Sequence, residues 1–353
     1  YGVETSFAYE DIDGNLRGAD NSWDIGADQY TPVGVVTEKM SLIRGSSTIT
    51  SIVRASNVVT VTHDTRAGTY NAFESGQLVC IAGVDNDPTF NGVYKIASVT
   101  DATHFTFTQY GPDATPTLTG LTPIAGGHYN SLSTWEAAFG GTTGYLASDN
   151  RIATAECYND WPSGLADSVT ISGWTTDATR YPRIYAPRAE RHNGTPGSVG
   201  SYTGFTLRPT SGSGIRLNWS STNLTMYTDI SGIVVDGAAT SGVNHGFFLN
   251  NYYSSSGNTY TRLSDCIAMN FTVAGSSGFY QYGYGRNAVS RCLAYNCDSG
   301  FYIDYYTVIG FYNNCTAASC VNGFRFSPNC GEGRGYFTNC LAYGNTAGFV
   351  KEG

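Results

Sequence analysis

Hydrophobic and polar residues alternate with period two along five short runs between residues 46 and 112. They are Thr48-Ile49-Thr50-Ser51-Ile52-Val53, Val58-Val59-Thr60-Val61-Thr62, Leu78-Val79-Cys80-Ile81-Ala82, Val93-Tyr94-Lys95-Ile96-Ala97-Ser98-Val99 and Phe105-Thr106-Phe107-Thr108. Such alternation predicts half-buried strands, and Asn91-Gly92 ahead of the fourth run is a tight-turn dipeptide. The pattern predicts a small antiparallel β barrel or sandwich over 46–112, with the Pro- and Thr-rich stretch 113–127 as a linker. Ser131 to Ala138 is the one stretch that reads as helix, with Ser131 or Ser133 as N-cap. A short amphipathic helix there would close the first coil of whatever follows and shield its open edge.

From residue 150 the runs are short and irregularly spaced, as in Ile152–Cys157, Ser168–Trp174, Arg183–Tyr185, Phe205–Leu207, Ile230–Val235 and Phe247–Leu249. Beyond residue 260 they become a repeat. Around Cys266, Cys292, Cys315 and Cys340 the text recurs as DCIAMN, RCLAYN, NCTAAS and NCLAYG, with Cys spacings of 26, 23 and 25. A Gly-Phe pair follows each time, at Gly278-Phe279, Gly300-Phe301, Gly323-Phe324 and Gly348-Phe349. A period in the low twenties without helical periodicity predicts a solenoid of short parallel strands whose units bury their apolar faces by stacking. Cys266, Cys292, Cys315 and Cys340, with Phe279, Phe301 and Phe324, are the expected inward ladder. Cys297 and Cys320 form a second stacked pair, and a disulfide between adjacent rungs is sterically conceivable. The insertions 189–203 and 251–260 are expected to project from turns, where contacts are usually made.

Composition narrows the function. Only 13% of residues are charged while Tyr numbers 26 and Gly 43, so much of the surface is uncharged polar or aromatic. That suits an extracellular fibre or a glycan-facing surface better than a cytosolic enzyme. A net charge of −9 with no basic stripe argues against nucleic acid as a partner. No apolar run approaches the ~18 to 20 residues of a membrane span, so membrane insertion is not expected. Nine cysteines leave at least one thiol free or bonded between molecules, and with no CxxC pair and five scattered His no metal site or cofactor is expected. The chain begins with Tyr1, which fits either a removed leader or a piece of a longer product.

The C-terminal two thirds resembles the right-handed parallel β-helix repeats of the pectin-lyase-like class found in phage tail fibres, tailspikes and secreted bacterial surface proteins. The resemblance rests on Tyr129–Glu136, on Thr170–Trp174 with Arg183-Ile184-Tyr185, and on the Cys-x-Ala and Gly-Phe rungs. It implies an all-β chain: an N-terminal extension at 1–45, the small β module, the linker and a β-helix over 128–353. The module text Ser56–Val61 and Phe90–Tyr94 is similar to small β modules of phage structural proteins. Text similar to Asp13-Gly14-Asn15-x-Arg17 and Trp23-Asp24-Ile25-Gly26-Ala27-x-Gln29-Tyr30 normally closes such a helix at its C-terminal end, whereas here it comes first. Two explanations follow. Residues 1–30 dock on the uncapped last coil of a neighbour, generating a filament with Trp23, Ile25 and Tyr30 as donor and Phe349 and Val350 as acceptor. Alternatively, they complete the preceding unit of a tandem polypeptide. The bland reading folds them back onto their own helix.

Candidate chemistry is sparse. Asp265, Asp298, Asp304 and Glu332 beside Arg334 are the acids available for polysaccharide cleavage, which needs two carboxyls ~5 to 9.5 Å apart. The resemblance covers lyases, hydrolases, adhesins and inert fibres alike, so the enzyme question stays open, with the structural reading favoured. Glu156 and Asp160 with Trp161 and Trp174 could form a sugar-binding shelf, and Tyr280, Tyr282 and Tyr284 would share one face of a strand. Sequons stand at Asn193, Asn218, Asn223, Asn270 and Asn314, the last in an awkward place beside a ladder Cys. No G-x-x-x-x-G-K-[ST], G-x-S-x-G or H-E-x-x-H motif is present.

Overall fold

The structure, a computed structural model, describes residues 36–139, 150–218, 226–251, 259–283, 285–304, 308–328 and 334–352. Its contacts divide the chain into two compact units. One runs to Asn130 and includes Asp160–Pro162, and the other comprises Ser131–Asn159 and Ser163 onward. The fold class is the expected one, all-β with a small antiparallel module preceding a parallel β-helix.

The first unit carries a seven-stranded antiparallel sheet in the order Gly92–Lys95, Leu78–Ala82, Ile124–Gly126, Ser47–Ala55, Val58–His63, His104–Thr108 and Ser98–Asp101. Alternation does the expected work: Ile49, Ile52, Val59, Val61, Val79, Ile81, Phe105 and Phe107 all point into one apolar core. Two expectations need correction. The tight hairpin turn is Ser56-Asn57, both at positive φ of 51° and 65°, the pairing a two-residue type I′ turn requires. Asn91, by contrast, is extended and ends a 3₁₀ turn at Pro88–Phe90. The expected linker 113–127 is not free of the module either. Ala114 bridges to Arg54, and Ile124–Gly126 inserts between the strands at Ser47 and Cys80. An added Cβ at Gly126 would stand 2.5 Å from Ser46 Cα, so glycine at this position admits close backbone approach. The Asp160 carboxylate is buried in this unit between Arg44 and Arg66, and also accepts from the Gly45 amide.

The second unit opens with a helix at Leu132–Phe139, capped by Ser131, whose hydroxyl accepts from the Thr134 amide at 3.1 Å. Three parallel sheets follow. The first stacks Arg151–Cys157, Pro182–Tyr185, Met226–Ser231, Thr259–Ser264, Gly285–Ser290, Val308–Asn313 and Arg334–Thr338. The second stacks short strands at Thr206–Leu207, Val234–Asp236, Ile267–Met269, Leu293–Tyr295, Thr316–Ala318 and Leu341–Tyr343. The third runs Val169–Ile171, Ile215–Asn218, His245–Asn251, Ser277–Gly283, Ser299–Asp304, Asn322–Phe326 and Ala347–Lys351. From residue 259 each coil visits the three sheets in turn.

The repeated text now has a physical reading. Each hexapeptide is a three-residue strand between two corners, and a left-handed residue stands at both ends. Asp265, Arg291, Asn314 and Asn339 make the first corner with φ from 51° to 54°. Asn270, Asn296, Ser319 and Gly344 make the second, with φ from 52° to 63°. Asn and Asp tolerate this conformation better than other L residues, which accounts for much of the choice. The Cys after each corner is small enough to turn inward, and Cys266, Cys292, Cys315, Cys297 and Cys320 are buried free thiols. Each thiol is placed to donate to the carbonyl two residues earlier, as in Cys292 Sγ to Ser290 O at 3.3 Å. The Ala two residues after Cys faces the Gly of the Gly-Phe pair. A Cβ on Gly300 would lie 2.6 Å from Gly323 O and 2.9 Å from Ala317 Cβ, so only glycine fits. The Phe beside it fills the core, giving a stack through Phe247, Phe279, Phe301, Phe324 and Phe349 with centroid spacings of 4.7 to 5.0 Å.

The helix packs Trp135 against Trp174 at 5.6 Å, both fully buried, over the first coils. Beside them Glu136 accepts from the Ser172 amide at 3.0 Å and Trp174 Nε1 at 2.8 Å. Burial outweighs those donors and pushes its carboxyl up to about 7 from an ordinary value of 4.5. The folded state therefore holds this proton more tightly than the unfolded chain. The resulting stability is full below pH 4.5 and is lost as pH rises to about 7. At about 1.4 kcal/mol per pH unit the swing is at most about 3 kcal/mol. Denaturant melts across pH 4–8 should show this decline in the parent, and Glu136→Gln, which keeps an acceptor for Trp174, should flatten it.

Candidate interaction surfaces of the solenoid

The two ends of the solenoid differ. The helix Leu132–Phe139 covers its start, whereas the last coil, made of Arg334–Thr338, Leu341–Tyr343 and Ala347–Lys351, forms the edge of all three sheets. Among the described residues nothing covers that edge. Phe349 stacks on Phe324 at 4.8 Å yet is 56% exposed, although Phe324 one rung earlier is wholly buried. Leu341 and Tyr343 are 54% and 70% exposed, Val350 is half-buried, and Cys340 is the least buried member of its ladder. Phe349 and Cys340, whose counterparts Phe324 and Cys315 are core, thus meet solvent here, beside unpaired strand-edge amides and carbonyls. The donor residues Trp23, Ile25 and Tyr30 lie outside the described residues, as do Tyr284, Cys330 and Glu332.

The described acids available for a catalytic pair, Asp265, Asp298 and Asp304, do not converge. Asp265 sits at the first corner, held bidentately by Arg291 at 2.7 and 2.8 Å with Arg191 at 3.4 Å, and these guanidinium groups keep its carboxyl below the usual range. Asp298 lies before the strand Ser299–Asp304 and accepts from the Gly275 amide. Asp304 ends that strand and accepts from the Tyr280 hydroxyl at 2.9 Å. Six residues of strand separate the last two by roughly 20 Å, well beyond the ~9.5 Å limit for glycoside hydrolysis.

Three of the four residues weighed for a sugar shelf are engaged within their own units. Trp174 is fully buried against Trp135, and the Glu156 carboxylate is taken by the hydroxyls of Tyr158 and Tyr185. Asp160 is enclosed by its two arginines, as described above. Tyr280 and Tyr282 do share the outer face of the third sheet. There Arg216, Phe248, Tyr280, Tyr302 and Arg325 occupy consecutive rungs with spacings of 5.0, 4.9, 5.1 and 4.5 Å. Each ring face is covered by its neighbour and a guanidinium closes each end, so the stripe offers solvent its edges only. His245 packs 4.3 Å from Tyr280, and burial lowers its pKa to about 4.

Of the sequons, Asn193 is exposed and Asn218 is half-buried with its carbonyl accepting from Asn250. Asn223 lies outside the described residues. Asn270 is a corner residue whose amide nitrogen donates to Asp236 at 2.9 Å and whose oxygen accepts from Asn296 at 2.8 Å. Attaching a glycan to that nitrogen would break the ladder. Asn314 is likewise a corner residue. Among the described residues no group of three or more His, Cys, Asp or Glu is placed to hold a metal ion, and no helix is long and apolar enough to cross a membrane.

The outer face of the first sheet holds an arrangement that the sequence analysis missed. Arg183, Asp229, Arg262, Ala288, Phe311 and Tyr336 stand in register on successive rungs. Phe311 and Tyr336 stack at 5.2 Å and are 44% and 46% exposed. The signal was present: aligned on the ladder cysteines, the position four residues earlier reads Arg, Ala, Phe, Tyr.

The sequence matches no protein-family model and no curated protein.

Proposed function

We propose that the chain is a structural subunit of an extracellular or virion fibre, assembling head to tail. The observation that supports this most directly is the asymmetry of the solenoid among the described residues, covered by a helix at one end and presenting core-type Phe349 at the other. An open edge of three parallel sheets is completed by added strands, and Trp23, Ile25 and Tyr30 in the otherwise polar N-terminal text supply apolar side chains to set against it. Such a contact joins two different surfaces of the same molecule. It is heterologous and propagates unless the rotation closes a ring. The resemblance to tail-fibre and surface-protein β-helices agrees with this role.

Electron microscopy of the purified chain tests it. The seven rungs of the first sheet within this unit, at ~4.8 Å each, span about 34 Å, so a fibre with an axial repeat of that order or longer is expected. Discrete compact particles at high protein concentration would overturn the reading.

A further inference from the structure

We propose that Asn193 is a self-modifying residue, converted to aspartate or isoaspartate through a cyclic imide whose formation His192 and Thr195 catalyse. The reaction needs nothing from the fibre junction. An asparagine followed by glycine is the sequence most open to it, because the glycine amide nitrogen is unhindered and can attack the side-chain carbonyl carbon of the residue before it. Three Asn-Gly pairs occur in the chain, at Asn91, Asn193 and Asn322. Two are held in strand backbone. Asn91 is extended ahead of Gly92–Lys95, which pairs with Leu78–Ala82, and Asn322-Gly323 lies between the rungs at Ser299 and Ala347. Asn193-Gly194 is exposed, and Gly194 stands at a φ of 90° with nothing within 4 Å of an added Cβ, so the peptide has room to turn.

A base and a set of donors converge on this pair. The Gly194 amide donates to His192 Nδ1 at 3.1 Å. On the other side of the ring Nε2 lies 2.5 Å from Asp265 O, and since a carbonyl only accepts, Nε2 carries the proton and Nδ1 the lone pair. Burial, helped by the charge of Arg191, lowers the His192 pKa below its ordinary value of 6.5 against the opposing pull of Asp265, so the ring is a neutral base at neutral pH. Asn193 Oδ1 accepts from the Thr195 amide at 3.1 Å, the Thr195 hydroxyl at 2.5 Å and the Thr203 hydroxyl at 3.3 Å. Donors gathered on an oxygen where negative charge develops stabilise the transition state. The frame is fixed, because a Cβ on Gly204 would stand 2.1 Å from His192 N and the stretches carrying His192 and Thr203 are therefore in backbone contact.

The chemistry needs only the chain and water. His192 Nδ1 takes the Gly194 amide proton as that nitrogen bonds to Asn193 Cγ, and the carbonyl electron pair moves onto Oδ1. When the pair returns, the Cγ–Nδ2 bond breaks and ammonia leaves with the proton held by His192. Water then opens the imide at either carbonyl, giving aspartate or isoaspartate and restoring the Gly194 N–H. Either product places a new negative charge on an exposed turn, and the isoaspartate route also lengthens the main chain by a methylene group.

The test is incubation of the full chain, purified from a host that does not glycosylate, in heavy-oxygen water at neutral pH, with peptide mapping by mass spectrometry over time. A synthetic peptide covering Arg188 to Gly197 is the reference, since it retains His192 but not its placement. Label is expected to enter at Asn193 about tenfold or more faster in the folded chain than in the peptide, the scale a positioned general base supplies, while Asn91 and Asn322 stay unlabelled. His192→Gln, whose amide can still accept from Gly194 and donate to Asp265 O but takes no proton, should fall to the peptide rate with its circular dichroism unchanged. Thr195→Val, which removes only the hydroxyl donor, should slow the reaction severalfold. A folded-chain rate no faster than that of the peptide overturns the proposal. A parental rate in His192→Gln overturns the assigned base, and equal labelling at Asn91 or Asn322 overturns the role given to the local geometry.

Discussion

Phe301→Ala is expected to destabilise the solenoid by about 3–5 kcal/mol, seen as a large fall in the urea midpoint of the second unit. The ring stands between Phe279 at 4.7 Å and Phe324 at 4.8 Å, with Tyr312 meeting its edge at 5.8 Å. Truncation leaves a void that cannot collapse, because the spacing of the rungs is fixed by the backbone ladder rather than by the side chains. Gly300 and Gly323 beside the stack are already at contact distance, which closes the other route to relaxation. The matched control is Phe349→Ala. That ring has one stacked neighbour in its row and is more than half exposed, so its removal should cost about 1 kcal/mol or less. In a solenoid each rung is stabilised by its neighbours, and a central rung has two where a terminal rung has one. Equal costs at the two positions would mean that the Phe row does not carry the core.

What was legible in the sequence follows the same logic. Inward positions are constrained by the neighbouring rungs on both sides, so they repeat and can be read: the Cys-x-Ala text, the Gly-Phe pairs and the alternation of the small module all mark buried faces. Outward positions are constrained only where a function or a neighbour demands it. The row of Arg262, Ala288, Phe311 and Tyr336 therefore looks like unrelated residues until the rungs are set in register. The corners were half legible. Asn, Asp and Gly at both ends of the hexapeptides are turn residues, yet Arg291 and Ser319 occupy the same left-handed positions and hid the rule. Local turn chemistry also misled, since Asn91-Gly92 carries the usual hairpin signal while Ser56-Asn57 makes the turn. The difference lies in the flanking strands, which pair across Ala55 and Val58 and so impose the turn between them. The Pro- and Thr-rich stretch conceals its strand because the three residues Ile124–Gly126 are too few to show alternation.

Phe349→Asp is expected to stop assembly while leaving the monomer folded. In the free chain the new carboxylate would be solvated, because the site is exposed. In a junction it would be buried against an apolar donor, and leaving a charge unpaired there costs several kcal/mol. A penalty of about 4 kcal/mol raises the concentration needed for assembly roughly a thousandfold. Trp23→Ala should weaken the donor side in the same assay. The decisive experiment mixes them. If donor and acceptor are different surfaces, a Phe349→Asp subunit keeps a working donor, so it adds to the open end of a parent filament and then blocks it. Substoichiometric amounts should therefore shorten parent filaments, as should Trp23→Ala at the opposite end. The two variants together have one good donor and one good acceptor, and should form dimers that grow no further, measurable by light scattering. A symmetric junction using the same surface twice would yield no such complementary dimer, and a segment folded back on its own solenoid would leave parent and mixture alike as monomers.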